Sequence, residues 1–348
     1  MATYLREIPA LKYLLALGVV VIHLFLPVDI SQLPATAANS IIVWNNFRNL
    51  FAAPCLWTFF VLSGMLYFHN TEKLTKAVYL RKTKSRVSTL LVPYLLWNLM
   101  GCGVFLIKVY VFGAPGFDIV ADGHINFLKL IQGFWAIVNE YPYDPSLWFI
   151  RDLFIISLLS PVIYLLARYP LLLIAAGATV IYLYPGFYNR YAFIYFAFGA
   201  WLAMHPEILR GKAGRRTLRY AGILWLILAV TRTLYPDAAL QAYYFQEVPA
   251  SCAFAVIVIA LARKVPERFL SRFNRLYPSA FFVFALHCFY TGAVKKIFIS
   301  LIGLDSGWAV AGVVVLSFIT VMAVTTFIYV LCRRLSPRLT ALLSGGRS

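Results

Sequence analysis

The chain has 348 residues, of which 62% are hydrophobic and only 13% are charged, and its mean hydropathy is +0.79. So little polar surface excludes a soluble monomeric protein, because a water-soluble fold needs polar groups over most of its exterior. The net charge of +18 would suit a nucleic-acid partner in a soluble protein, but the hydropathy assigns it to membrane topology instead. We therefore predict no nucleic-acid partner.

Apolar stretches long enough to cross a hydrocarbon layer of roughly 30 Å recur along the whole chain. They begin near Leu11, Phe51, Val87, Trp148, Leu171, Tyr191, Tyr220, Val248, Pro278 and Trp308. The sequence thus predicts an all-α, polytopic integral membrane protein with about ten transmembrane helices surrounded by membrane lipids. No stretch long enough for a soluble domain interrupts this pattern, so residues 1–348 are predicted to form a single transmembrane domain.

The basic residues cluster in the segments between alternate apolar stretches. Segments 69–86, 205–219 and 263–275, together with the two ends of the chain, hold most of the 31 lysine and arginine residues. The intervening segments hold most of the 13 acidic residues. Because an excess of Lys and Arg marks cytoplasmic loops, both termini are predicted to be cytoplasmic.

The first apolar stretch, LKYLLALGVVVIHLF, contains Lys12 and His23. On a helix, eleven residues amount to three turns plus roughly 20°, so both side chains are expected on one face, about 16 Å apart along the axis. Ionisable groups within a membrane span usually face the bundle interior or a wet cavity. His23 is therefore the leading candidate for chemistry, with Lys12 near one membrane surface.

Three later apolar stretches also contain polar residues. Ser63, in WTFFVLSGMLYF, is expected to allow close helix packing more readily than to act as a nucleophile. Arg151 and Asp152, in SLWFIRDLF, are adjacent and point about 100° apart on a helix, so we expect them to pair with different neighbours. A structural role and a substrate-binding role are both open for them. His287, in FFVFALHCFY, is the other histidine well inside an apolar run.

The five cysteines show no spacing typical of a metal site or a disulfide framework. Cys55, Cys102, Cys252, Cys288 and Cys332 all lie in or at the ends of apolar stretches. They are predicted to be small buried side chains, and no metal site is predicted.

Several of these motifs occur in an order that resembles the membrane acyltransferase-3 family. They are Lys12 with His23, FFVLSGML in the second stretch, a basic segment leading into LLVPYLLWN, LWFIRDL at Leu147 to Leu153, and an aromatic FxxxLH motif ending at His287. The chain is most similar to the compact members that O-acetylate surface polysaccharides.

The resemblance implies transfer of an acyl group, usually acetyl from acetyl-CoA in the cytoplasm, to a hydroxyl of a carbohydrate or glycolipid at a bacterial cytoplasmic (inner) membrane. It implies an essential basic residue and an essential histidine at the positions of Lys12 and His23. Contacts to the CoA phosphates are expected from the basic segment before the third span, at Arg81, Lys82, Lys84 and Arg86. Contacts to the acceptor, or support of the catalytic pair, are expected from Ser63, Trp148, Arg151, Asp152 and His287.

The chemistry of imidazole suits this reaction. A sugar hydroxyl is a weak nucleophile, and a neutral imidazole can remove its proton as it attacks the thioester. Two routes remain open: direct transfer through a cavity that lets the donor reach His23, or relay of the acyl group through a covalent intermediate. The competing function is a transporter of a polysaccharide, lipid or ion whose buried His, Arg and Asp residues form a permeation path.

Overall fold

The computed structural model describes residues 7–116, 118–121, 123–136, 141–183, 191–234 and 240–346. Within these residues the secondary structure is helical, apart from two short antiparallel strands, β1 (Val120–Ala121) and β2 (His124–Ile125). In this pair, Val120 lies opposite Ile125 and Ala121 opposite His124. The predicted all-α class is confirmed.

The α-helices of the described residues are numbered in chain order. They are α1 (Ile8–Ile22), α2 (Ala35–Phe47), α3 (Ala53–Phe68), α4 (Lys76–Arg86), α5 (Val92–Phe112), α6 (Phe127–Phe134), α7 (Trp148–Leu158), α8 (Ser160–Arg168), α9 (Pro170–Leu183), α10 (Tyr191–Met204), α11 (Gly211–Leu234), α12 (Leu240–Ala262), α13 (Glu267–Arg272), α14 (Ala280–Leu286), α15 (Thr291–Ile302), α16 (Gly307–Leu335) and α17 (Pro337–Leu343). Short 3-10 helices lie at Ile30–Gln32, Pro145–Leu147, Pro206–Leu209, Tyr277–Ser279 and His287–Phe289.

Most of these helices belong to segments long and apolar enough to cross a membrane. Among the described residues, five single segments qualify: Ala35–Phe68, Lys76–Phe112, Gly211–Leu234, Tyr243–Ala262 and Gly307–Leu335. Two helix pairs qualify as bent spans, α7 with α8 at 73° and the Tyr277–Phe289 segment with α15 at 60°. The apolar helices α1, α9 and α10 are shorter. Together they account for every predicted apolar stretch, and the polytopic architecture is confirmed.

The second and third spans begin earlier than the sequence predicts. Helix α2 continues into α3 through a π-helical turn at Arg48–Ala52, and α4 continues into α5 through a similar turn at Val87–Leu91. Each π turn is followed at once by a proline near the start of the next helix, Pro54 or Pro93. Proline has no backbone N–H to donate to the carbonyl four residues earlier. The helix therefore continues through a local change of hydrogen bonding instead of ending.

The predicted basic loop before the third span is consequently a helix. The side chain of Thr75 caps α4 by accepting a hydrogen bond from the backbone N–H of Val78 at 3.3 Å, and no glycine or proline interrupts residues 76–86. The four basic residues expected to contact CoA therefore lie on α4, where their directions are fixed by helix geometry.

The segments that connect the helices on the basic side meet at one end of the bundle, which we call the basic end. Residues from the start of α1, the segment after α3, the end of α8 and the segments around α11 and α12 line one recess there, including Glu7, His69, Arg168, His205, Arg210 and Arg263. Arg263 also donates a hydrogen bond to the carbonyl of Leu209 at 2.8 Å. The predicted grouping of the basic segments is thus present in the fold.

Helices α3 and α10 cross at two glycines. A Cβ atom added at Gly64 would overlap the carbonyl group of Phe196, and one added at Gly199 would overlap the carbonyl group of Val61. Small residues let helix backbones approach closely, which replaces the hydrophobic driving force that is missing between helices in lipid. The sequence analysis predicted close helix packing at Ser63, the neighbour of Gly64.

We expect Gly199→Ala to destabilise the protein by about 1–3 kcal/mol, because the added methyl forces two packed backbones apart. Thermal unfolding in detergent measures the effect. Gly103→Ala is the matched control, since Gly103 is also helical but a Cβ there meets nothing within 4 Å. Equal melting temperatures for the two variants would contradict a close crossing at Gly199.

Candidate active site

His23, His287 and Cys288 come together although the first lies at the start of the chain and the others near its end. The imidazole rings of His23 and His287 are 4.9 Å apart between centroids and meet edge to face. Sγ of Cys288 lies 3.3 Å from Nε2 of His287 and 3.8 Å from each ring nitrogen of His23. Two expected site residues thus meet around a thiol that the sequence analysis treated as a small apolar side chain.

The backbone of its own helix fixes the orientation of His287. Its side chain is fully buried, and Nδ1 lies 3.0 Å from the carbonyl oxygen of Val283, one turn earlier. A carbonyl can only accept a hydrogen bond, so Nδ1 carries the proton in the neutral ring. Nε2, which faces Cys288, is then left as an acceptor.

His23 ends α1, and basic side chains hold this end of the helix in place. The last helical residue is Ile22, so His23 forms the C-cap instead of continuing the helix. Lys295 donates hydrogen bonds to the carbonyls of His23 at 2.9 Å and Phe25 at 2.7 Å. Arg48 donates to the carbonyl of Ile22 at 3.2 Å. Cations at a helix C-terminus satisfy its free carbonyls and complement its dipole.

A cavity of about 610 Å³ begins near the basic end and is lined by Lys12, Ser63 and Arg86. Its walls are mainly apolar and come from α1, α3, α4, α7, α14 and the segment around α13. Three of the lining residues form an aromatic cluster, Phe59, Phe149 and Phe284, with Phe284 5.2 Å from Phe149 and 6.3 Å from Phe59 between ring centroids.

The aromatic cluster connects this cavity to the histidines. The ring of Phe284 lies 6.4 Å from that of His287, and Phe284 precedes His287 by three residues. Lys12 lines the cavity while His23 lies at the other end of the same helix, about 16 Å further along its axis. Lys12 therefore places a cation near the basic end, and His23 places an imidazole beyond the other end of the cavity.

The four basic residues of α4 separate into different environments. Arg86 lines the cavity and lies over the ring of Tyr67, 5.4 Å from its centroid. Lys82 also contacts Tyr67, donating to its carbonyl and lying 4.7 Å from its ring centroid. Arg81 and Lys84 are exposed on the outer face of the helix. Arg86 alone of these four belongs to the cavity lining.

The prediction that Arg151 and Asp152 pair with different neighbours is wrong. Nε of Arg151 donates to Oδ1 of Asp152 at 2.8 Å, because a long arginine side chain can curve across the angle between adjacent helical positions. Arg151 also donates to the carbonyl of Trp135 at 3.1 Å, which ties α7 to the end of α6.

Trp148, at the start of α7, lies in the aromatic core. It meets Trp57 and Phe60 with ring centroids 6.3 Å away in each case. The structure thus brings Ser63 and Lys12 to one cavity and His287 to His23, while Trp148, Arg151 and Asp152 line neither the cavity nor the histidine cluster.

Sequence reasoning missed three residues that shape this site: Cys288, Lys295 and Arg48. Cys288 adjoins His287 in the sequence, and Lys295 lies in an apolar run, where a lysine is costly without a partner. A thiol beside a histidine and a lysine in an apolar run were the signals in the sequence that could have identified Cys288 and Lys295. The ligand atoms of the two histidines and the cysteine lie within 4.8 Å of one another, so this donor set could hold a metal ion, which the cysteine spacing did not indicate.

The chain was compared with protein families and with individual proteins. The acyltransferase-3 family profile, described as an acyltransferase domain, matches residues 5–331. A succinoglycan biosynthesis protein, ExoH of Rhizobium meliloti, is 25% identical over 240 residues, which are 66% of this chain and 62% of that protein. The match therefore covers less than two thirds of the relative's length. No solved structure matches the chain.

Replacing Lys295 is expected to loosen the end of α1. Lys295→Met removes the ammonium group that donates to the carbonyls of both His23 and Phe25, and it should cost at least about 1.5–3 kcal/mol, the range for one hydrogen bond to a charged group. Thermal unfolding of the purified protein measures this. Lys296→Met, at the exposed neighbouring position, is the control and should melt like the wild type. A Lys295 variant as stable as this control would contradict the assigned role.

Proposed function

The chain belongs to the acyltransferase-3 family of membrane proteins, and from this premise we propose that it is an acyl-CoA-dependent O-acyltransferase of a bacterial cytoplasmic (inner) membrane. It moves an acyl group, acetyl in our proposal, to a hydroxyl of a cell-envelope carbohydrate. The observation that carries the proposal is the cavity that starts at Lys12 and Arg86 and ends at aromatic rings against His287. This arrangement supports the enzyme over the transporter considered from the sequence.

The cavity suits the donor. Its volume of about 610 Å³ lies within the range of small-molecule sites, and its apolar walls fit a pantetheine arm and an acyl group. Lys12 and Arg86 supply positive charge for CoA phosphates at the basic end. Arg81 and Lys84, exposed on the same helix as Arg86, add to the positive potential that attracts the anionic donor.

His23 acts as the general base in this proposal. It is partly exposed, so an acceptor can reach it, while Lys295 and Arg48 hold its backbone in place. A neutral imidazole takes the proton of the acceptor hydroxyl as the oxygen attacks the acyl carbonyl. The surrounding apolar helices limit the access of water, which protects the thioester from hydrolysis. No metal ion is required for these steps.

We propose the acceptor from the chemistry of the reaction and with the support of the matched relative. The relative is a succinoglycan biosynthesis protein, which supports a carbohydrate or glycolipid acceptor for this chain. Arg151 and Asp152 form a charged pair that is mostly buried yet adjoins the end of α6. We propose that this pair and Trp148 shape the acceptor side, whereas Ser63 lies on the donor side with Lys12.

Replacement of His23 tests the base directly. His23→Ala should lower the rate of acyl transfer by roughly 10²–10⁴-fold, the contribution usual for a positioned base, without loss of donor binding. His23→Gln keeps a hydrogen-bonding group but no useful base and should be nearly as inactive. Lys12→Arg should keep much of the activity, since either cation can bind phosphate, whereas Lys12→Ala should not. Transfer of labelled acetyl from acetyl-CoA to envelope glycans is the measurement, and near wild-type transfer by His23→Ala would refute this role.

Replacement of Arg86 tests the donor site. Arg86→Gln should raise KM for acyl-CoA by roughly ten- to a hundredfold, as expected for loss of a charge-assisted hydrogen bond, and leave KM for the acceptor unchanged. Arg81→Gln and Lys84→Gln should give smaller increases because both side chains lie outside the cavity. Lys76→Gln, an exposed substitution at the start of the same helix, controls for the loss of one charge. If Arg86→Gln and this control have the same KM for acyl-CoA, the CoA phosphates bind elsewhere.

A further inference from the structure

The thiol of Cys288 lies between two imidazoles at the boundary between the donor cavity and the opposite end of the bundle. We propose that Cys288 carries the acyl group as a thioester between the donor and the acceptor. This inference rests on the proposed acyltransferase function and decides which of the two transfer routes the protein uses.

His287 is placed to activate this thiol. Its Nδ1 is occupied by the carbonyl of Val283 at 3.0 Å, so Nε2 is the ring atom that can accept a proton. Nε2 lies 3.3 Å from Sγ of Cys288, within the distance of a hydrogen bond to sulfur. A nucleophile, a base within reach, and a third group that orients the base are the parts of an activated cysteine.

His23 is placed to serve the second half of the reaction. Both of its ring nitrogens lie 3.8 Å from Sγ, within the distance of a hydrogen bond to sulfur. Unlike the fully buried His287, His23 is partly exposed, as Cys288 is. A hydroxyl that attacks an acyl group on Cys288 would therefore find His23 next to it, while His287 remains enclosed.

The donor cavity ends about one helical turn before Cys288. The residues that line the donor cavity include Phe284 but not Cys288, His287 or His23. Cys288 follows Phe284 by four residues, about one helical turn, and so lies just past the aromatic end of the cavity. Direct transfer needs the donor thioester and the acceptor hydroxyl at His23 together, whereas a carrier lets each substrate meet Cys288 in turn.

The two steps balance. In the first, the Cys288 thiol gives its proton to Nε2 of His287, and its sulfur attacks the acyl carbonyl of acyl-CoA. The bond from this carbonyl to the CoA sulfur breaks, and CoA leaves as a thiol with the proton from His287. In the second, His23 takes the proton of the acceptor hydroxyl, the oxygen attacks the carbonyl on Cys288, and the carbon–sulfur bond breaks. The Cys288 sulfur recovers a proton from His23, and the ester is released.

The other cysteines provide a matched comparison. Among the described residues, only Cys288 belongs to a group with histidines at ligand distance. Cys332 is also partly exposed, on α16, and no histidine of the described residues forms such a group with it. Cys332→Ala therefore changes one thiol of similar exposure without touching the proposed carrier.

The experiment follows labelled acetyl on the protein itself. Purified full-length protein is mixed with labelled acetyl-CoA in the absence of acceptor, quenched in acid and digested. We expect label on the peptide that contains Cys288, and we expect neutral hydroxylamine to release it as a thioester. The wild type and Cys332→Ala should also exchange label between acetyl-CoA and free CoA without acceptor. Cys288→Ala should lose this exchange and transfer acetyl to the acceptor at least a hundredfold more slowly.

Two further measurements keep the result decisive. Melting temperatures show whether Cys288→Ala is folded, and Cys288→Ser is the second variant, in which any trapped acyl group should resist hydroxylamine as an oxygen ester. The peptide assignment in the wild type needs no variant at all. Metal analysis of the purified wild type and of Cys288→Ala tests whether His23, His287 and Cys288 bind a metal ion instead.

The outcomes separate the carrier from the function on which it rests. Folded Cys288→Ala that transfers acetyl to glycan at the wild-type rate overturns the carrier and leaves the acyltransferase intact. Label on another residue, or a stoichiometric metal ion that Cys288→Ala fails to bind, also overturns it. A wild-type protein that neither takes up label nor acetylates any glycan overturns both proposals.

Discussion

The last carbonyls of helix α1 accept hydrogen bonds from side chains that come from distant parts of the chain. Lys295 on α15 and Arg48 in the π turn before α3 both reach these carbonyls. Cations at a helix C-terminus satisfy its free carbonyls and complement its dipole, so these hydrogen bonds stabilise the end of α1 at Ile22. Because α1 stops at Ile22, His23 is free of the regular helix and its ring meets His287 and Cys288.

A second backbone irregularity serves the same region. The bend of 60° after Phe289 separates the segment with His287 and Cys288 from α15, so that one broken span supplies the imidazole, the thiol and Lys295. Broken helices at membrane depth are tolerated where other protein groups satisfy the freed backbone, and here side chains such as Thr291, which donates to the carbonyl of His287 at 2.6 Å, do so.

Hydropathy and charge predicted the class of protein, the apolar stretches and the grouping of the basic segments, because lipid imposes the same demand on every span. The order of weak motifs also predicted the family. Sequence could not show that His23 meets His287, since that contact joins residues far apart in the chain. It failed at Arg151 and Asp152 because helix angles describe where Cβ atoms point and not how far a flexible side chain bends. It placed helix starts too late because a π turn preserves helical continuity where hydropathy and proline suggest an end.

The distribution of cations follows from two different physical causes. Charge at the basic end agrees with the rule that orients membrane proteins, and there Lys12 and Arg86 line a cavity that an anionic group can enter. Lys295 and Arg48 lie at the opposite end of α1, against that trend, and both donate to helix-end carbonyls. In the proposed function a negative ligand binds at Lys12 and Arg86, whereas Lys295 and Arg48 donate hydrogen bonds to the backbone beside His23. In the proposed function, this division gives the two ends of α1 separate tasks, with the charged groups of the donor bound at one end and proton transfer carried out at the other.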